Sequence, residues 1–299
     1  MTTGESSLPR AAEKAPDSFA RRSNLHQRIL TAILLLIPTV YLAGFAPLWL
    51  FLPALVLTIE LCLYEYFRMV EHAGLGTFPV LGYLGGLVLP VAQILEVNDM
   101  GLGFGLVPVL VGFVTVFPLL ALGGRQDVKA YLPAVAATLF GVIFIGLGLS
   151  WLARLRFDDP ESGGMLVLFL FAVVWVGDVA AYFVGRGLGR VRFAPAISPK
   201  KTVEGAVGGL AGSLGVGALF AVFILESRSM AGVLILAAVV AVAGQVGDLA
   251  ESALKRSAGV KDSSTILPGH GGLLDRLDSL LTAAPVLWLA GVVERLAGW

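Results

Sequence analysis

The chain has 299 residues, of which 57% are hydrophobic and only 14% charged, and its mean hydropathy is +0.86. Soluble domains average about 45–50% apolar and about 25% charged residues, so a soluble fold of this length is excluded. Basic and acidic residues balance at 21 each, so net charge favours no class of partner, and the one cysteine, Cys62, excludes an intrachain disulfide or a thiolate metal cage.

Residues 1–24, with Pro9, Pro16 and scattered charges, read as a disordered cytoplasmic tail. Crossing about 30 Å of hydrocarbon takes roughly 20 helical residues at 1.5 Å each. Predominantly apolar runs of that order recur at 29–44, 46–62, 75–95, 101–122, 131–152, 164–185, 205–225, 230–251 and 277–293. They predict an all-α, polytopic transmembrane bundle of nine spans. The first two are short, share one run broken around Gly44, Ala46 and Pro47, and are open to a re-entrant reading. Lys and Arg stay on the cytoplasmic side of membrane proteins. With the N-terminus inside, alternating loops divide them 17 to 4, the outer ones being Arg154, Arg156, Arg228 and Arg295. That asymmetry predicts an N-terminus in the cytoplasm and a C-terminus outside.

Residues 25–160 read as a transmembrane scaffold with short loops and few polar groups. Glu60, Glu65 and Arg68 are expected to pair at the end of the second span, Cys62 to fill apolar space, and the many glycines to allow close helix contact. Residues 161–299 differ, because ionisable side chains now fall inside apolar spans and the inner loops are rich in charge. One pattern occurs twice, as Val176-Gly177-Asp178-Val179-Ala180 and as Val246-Gly247-Asp248-Leu249-Ala250. An intramembrane Asp costs about 2.5–3.5 kcal/mol even on the lenient insertion scale, so it needs a basic partner, a cation or a wet cavity. Two at similar depth point to a shared cation site, with pairing to Arg or Lys as the structural alternative.

On the eighth span Asp248, Glu251, Ser252 and Lys255 share one helical face, with Gln245 a turn deeper. The run Ser198-Pro199-Lys200-Lys201-Thr202-Val203-Glu204-Gly205 brings two ammonium groups and two hydroxyls to a helix start, which suits either an anion site or ordinary capping. The densest segment holds Ser252, Lys255, Arg256, Lys261 and Asp262, then Pro268-Gly269-His270-Gly271-Gly272-Leu273-Leu274-Asp275-Arg276-Leu277-Asp278. Gly271 and Gly272 give a backbone room beside a ligand. Asp275 and Asp278, at i and i+3, suit a hard cation such as Mg²⁺, which takes oxygen ligands and bridges to substrate phosphates.

The run from Ser252 to Asp278 resembles the signature of the phosphatidate cytidylyltransferase (CDP-diacylglycerol synthase) family, with its S-x-x-K-R, K-D and P-G-H-G-G-x-x-D-R-x-D elements in order. Ser198 to Thr202 with Glu204-Gly205 match a second family element, and Asp178 with Ala181-Tyr182 and Gly185 a third. The motifs lie in the C-terminal part of the chain, from Asp178 to Asp278, and the first half matches only in hydropathy. The resemblance implies an integral protein of the bacterial inner membrane whose cytoplasmic site joins CTP and phosphatidate into CDP-diacylglycerol and pyrophosphate. It implies CTP, phosphatidate and membrane lipids as partners, no nucleic acid, and leaves self-association open.

A phosphomonoester is largely a dianion at neutral pH, so no strong general base is required. Asp178 and Asp248, with Asp275 or Asp278, are expected to hold Mg²⁺, a second cation staying open. Lys200, Lys201, Lys255, Arg256 and Arg276 are expected to clamp phosphates. Ser198, Thr202, Glu204, Gln245, Glu251, Ser252, Lys261, His270, Gly271 and Gly272 are expected to contact substrate or hold loops. Two other readings of the same residues are a membrane kinase of a lipid alcohol and an ion-coupled transporter working through Asp178 and Asp248.

Overall fold

A computed structural model describes residues 36–97, 105–124, 128–226, 228–267 and 271–297. The tail 1–24, the start of the first expected span, and His270 lie outside the described residues. Every element is helical: α1 (36–44), α2 (Leu48–His72), α3 (Pro79–Val97), α4 (Leu106–Ala121), α5 (Val128–Gly141) continuing through a π-helical segment Val142–Leu147 into α6 (Gly148–Phe157), α7 (Gly163–Leu188), α8 (Val203–Phe223), α9 (Met230–Ser257) and α10 (Leu274–Ala297). Seven of these are long and apolar enough to cross a membrane, counting α5 to α6 as one 30-residue helix, and α4 is a shorter apolar helix. The described residues form no strand.

The helices follow the apolar runs but outlast them at the polar ends. The run expected at 46–62 becomes a helix to His72, and that expected at 230–251 continues to Ser257. Hydropathy falls there, yet Glu, Leu, Met, Lys and Arg are good helix formers, so the backbone continues. Ala258 and Gly259 end α9: Gly259 adopts φ +71, its amide donates to the Arg256 carbonyl and that of Val260 to Lys255, closing the turn in the left-handed conformation glycine favours.

Between helices in a membrane, packing replaces the hydrophobic effect as the driving force, and small residues permit it. The most extensive contacts join α7 to α8 and α9 to α10. On α7, Gly177, Ala181 and Gly185 recur every four residues and face Gly205, Gly209 and Ser213 of α8, where the backbones nearly touch: a Cβ on Gly205 would lie 3.0 Å from the Ala181 carbonyl. On α9, Gly244 and Gly247 face Ser279 and Thr282 of α10 in the same way. Phe169, Leu170 and Val173 of α7, Val233, Ala237 and Val240 of α9, and Leu280, Ala283 and Ala284 of α10 are fully buried between these pairs. Cys62 is buried in the same core.

At one end of the bundle the charges pair with each other. Arg154 of α6 reaches Glu96 of α3 at 2.5 Å and stacks 4.6 Å over the Trp288 ring of α10, while Arg228 pairs with Glu294. These contacts tie α3, α6 and α10 together. The opposite end carries the residues that the sequence singles out.

Candidate active site

Each copy of the repeated pentapeptide does two things. Its glycine admits the next helix: a Cβ on Gly177 would strike the Ser213 hydroxyl of α8, and one on Gly247 the Thr282 hydroxyl and Asp278 carbonyl of α10. The aspartate that follows is rotated about 100° round the helix, away from that seam. Asp178 is exposed on the surface of α7 and lies ten residues, or about 15 Å, before its end. It is within electrostatic range of Asp248 and Lys201. Asp278 of α10 in turn is within range of Asp248, Glu251 and Asp178. The two copies thus place their carboxylates within electrostatic range of each other and of Asp278.

The connection from α7 to α8 is held by its own residues. Thr202 caps α8, its hydroxyl accepting from the Gly205 amide at 3.1 Å, and Val203 N donates to the Val191 carbonyl at 2.8 Å. Glu204 folds back to accept from the amides of Arg190 and Val191. The first-turn donors of α8 that an anion would use are therefore engaged within the chain, and capping is what this segment's backbone does. Anion contact there falls to side chains. Lys200 is exposed. Lys201 reaches across to α9, its Nζ 2.7 Å from Asp248 Oδ2. Ser252 lies 3.4 Å from the other Asp248 oxygen. Gln245 donates to the Ala206 carbonyl at 3.1 Å, bracing α9 on α8. Ser198 sits half-buried in the turn between, where its amide donates to Ala194.

The second loop is built round two carboxylates. Asp275, in the first turn of α10, accepts from the amides of Ser263 at 3.0 Å and Gly272 at 2.9 Å and from Lys255 Nζ at 2.7 Å. Lys255 also lies 2.5 Å from Glu251, so the ammonium bridges two carboxylates. Glu251 is fully buried, and its Oε1 meets no hydrogen-bond donor among the described residues. Arg256 donates to the carbonyls of Val260 and, across the site, of Ile197. It thereby joins the two loops. Lys261 and Arg276 are exposed at the rim.

The second carboxylate is Glu65 of α2, which the sequence placed in the scaffold. It has no exposed surface. One oxygen accepts from the Ser264 hydroxyl at 2.5 Å and the Leu273 amide at 2.9 Å, the other from the Ser263 hydroxyl at 3.1 Å and the Leu274 amide at 2.7 Å. Neither Glu60 nor Arg68 enters this set. Gly272 is required where it is, because a Cβ would lie 2.8 Å from the Glu65 carboxylate, and Gly271 takes φ +85 where an antiparallel bridge to Leu267 closes the loop. Nothing in the spacing of Glu65 could have found it, since its partners belong to the last loop of the chain and it belongs to one of the first helices.

The structure therefore gathers Asp178, Asp248, Asp278, Glu251, Lys200, Lys201, Lys255, Arg256 and Asp275 at one end of the bundle, on α7 to α10 and their loops. Among the described residues no three His, Cys, Asp or Glu side chains form a ready metal cage. Magnesium commonly uses only one or two carboxylates plus water and substrate phosphates, so one or two of Asp178, Asp248 and Asp278 would fit that chemistry. Both oxygens of Asp275 are engaged by the loop and Lys255. A half-buried carboxylate cluster flanked by ammonium groups suits polyphosphate binding and the approach of two anions.

Residues 26–293 match the cytidylyltransferase family. A phosphatidate cytidylyltransferase of Brucella suis is 37% identical over 273 residues, covering 91% of this chain and 94% of its own length. That of Synechocystis sp. is 34% identical over 290 residues, covering 88% and 94%. The chain belongs to the cytidylyltransferase family.

Proposed function

We propose that the protein transfers the cytidylyl group of CTP to phosphatidate, giving CDP-diacylglycerol and pyrophosphate. The observation that carries this reading is that Ser252 and Asp278, the two ends of the signature, lie at one end of the bundle beside Asp248, which pairs with Lys201 and is within electrostatic range of Asp178. The relatives named for this activity support it over nearly the whole chain.

In this reaction a phosphate oxygen of phosphatidate bonds to the α-phosphorus of CTP, and the α–β anhydride bond breaks with its electron pair leaving on pyrophosphate. One or two of Asp178, Asp248 and Asp278 would hold Mg²⁺, which would neutralise phosphate charge there. Lys201 and Lys200 supply ammonium groups beside the carboxylates, and Arg276 and Lys261 supply cations at the rim. Lys255 acts differently: held between Glu251 and Asp275, it fixes the start of α10 relative to α9. Both lipid substrate and lipid product remain in the membrane, which suits an open Asp178 set well below the loop level.

The nine-span arrangement with the N-terminus inside is part of this proposal. It places the ends of α2, α7 and α9 and the starts of α8 and α10 on one side, the cytoplasmic side of the bacterial inner membrane where CTP is available. The basic loops 186–204 and 255–276 lie on that side, and the Arg154 and Arg228 pairs on the other.

The test is to incubate detergent-purified protein with phosphatidate, Mg²⁺ and CTP. Pyrophosphate and a liponucleotide are expected in equal amounts. Turnover of ATP to ADP with a phosphorylated lipid, and none of CTP, would contradict the reading.

A further inference from the structure

We propose that Glu65 is a positioning residue of this site, a clamp by which α2 sets the geometry of Ser263, Ser264 and the start of α10. The proposal rests on the cytidylyl-transfer reading for what the loop does, but the clamp itself stands on geometry. Four donors converge on one fully buried carboxylate, two hydroxyls and two backbone amides. The amides of Leu273 and Leu274 belong to the start of α10, where helix donors lack intrahelical partners and the dipole favours negative charge. Glu65 thus serves as the acceptor at that helix start from another helix altogether.

The clamp connects directly to groups of the site. Ser263 gives its hydroxyl to Glu65 and its amide to Asp275, and Asp275 holds Lys255. Leu274 is the residue before Asp275, and Gly272 packs against the Glu65 oxygens while donating to Asp275. A shift of Glu65 therefore moves Asp275 and, one helical turn on, the depth at which α10 presents Asp278. A carboxylate is needed rather than an amide, because all four partners donate and a Gln would turn an NH₂ group onto a backbone N–H.

The experiment compares Glu65→Gln, the pair Ser263→Ala with Ser264→Ala, and Glu60→Gln in the full-length protein. Glu60 lies on the same helix and has an oxygen with no hydrogen-bond partner, so its variant removes a charge without touching the clamp. Two quantities are read: hydrogen exchange at the Leu273 and Leu274 amides, and kcat and KM for CTP. Glu65→Gln is expected to speed exchange at those amides by about tenfold and lower kcat by about 10²-fold, the scale of a misplacement near 1 Å, with KM changed less than about threefold. If that variant does not accumulate, the serine pair decides, with faster exchange and a kcat loss of about threefold or more expected. Glu60→Gln should match the wild type in both. Unchanged exchange overturns the clamp whatever the enzyme proves to catalyse. Faster exchange with unchanged kcat overturns its role in positioning.

Discussion

Lys201 Nζ stands 2.7 Å from Asp248 Oδ2, so the last residues before α8 are tied to the inner part of α9 through a half-buried ion pair. The pair lies beside Asp178, and a phosphate entering there would meet an ammonium already held among carboxylates. Lys201→Ala is expected to lower kcat/KM by about 10-fold or more, because it removes a phosphate partner and leaves Asp248 without its counter-charge. Steady-state kinetics at saturating Mg²⁺ check this, and normal kcat/KM would remove the lysine from the site.

The glycine of each repeat should be needed for packing and not for chemistry. Gly247→Ala, which drives a methyl into Thr282 and Asp278 of α10, should cost about 1–3 kcal/mol of stability. Gly215→Ala on α8 meets nothing within 4 Å and should be neutral or slightly stabilising. Thermal unfolding in detergent separates the two, and equal behaviour would contradict the close seam.

At the far end, Arg154→Ala removes the Glu96 pair and the stacking on Trp288 together. A loss of about 1–2 kcal/mol is expected, with kcat unchanged at a permissive temperature. A large fall in kcat without loss of stability would mean that this end takes part in the reaction.

Sidedness is tested at the two ends of α7, whose 26 residues separate the exposed Glu161 before it from the exposed Arg190 after it by about 39 Å. In a Cys62→Ala background, cysteines at Arg190 and at exposed Lys261 should react with an impermeant thiol reagent from the cytoplasmic side alone. A cysteine at Glu161 should react from the opposite side alone. Ala258, although in the same loop region as Lys261, is buried and unsuited to labelling. Any reversal would overturn the orientation.

Much of this protein is legible in its sequence because the membrane imposes a simple code. The apolar runs at 164–185, 205–225 and 230–251 became α7, α8 and α9 with ends moved by only a few residues, apart from the extension of α9 to Ser257. The site's carboxylates were legible for the same reason, since a charge in a span such as Asp178 is costly and must be accounted for. Glu65 was not legible. It falls where α2 leaves its apolar run, so its charge looked like an ordinary interfacial one, and its partners come from the loop before the last helix. The role of Asp275 was likewise hidden: spacing pairs it with Asp278, while the folded loop turns it to Ser263, Gly272 and Lys255. Local period reads which face a residue occupies and cannot read which loop returns to it.

The two copies of one pentapeptide set Asp178 and Asp248 within electrostatic range of each other, and we propose this pair as the metal-binding heart of the site. The most direct measurement is kcat for CDP-diacylglycerol formation by Asp178→Asn, Asp248→Asn and the double variant across a Mg²⁺ titration. Each single variant should fold and lose at least about 10²-fold in kcat, and the double should be little worse than the worse single, because groups acting as a unit are strongly non-additive. Near-normal turnover of both single variants at low Mg²⁺ would contradict the claim and make the two aspartates structural.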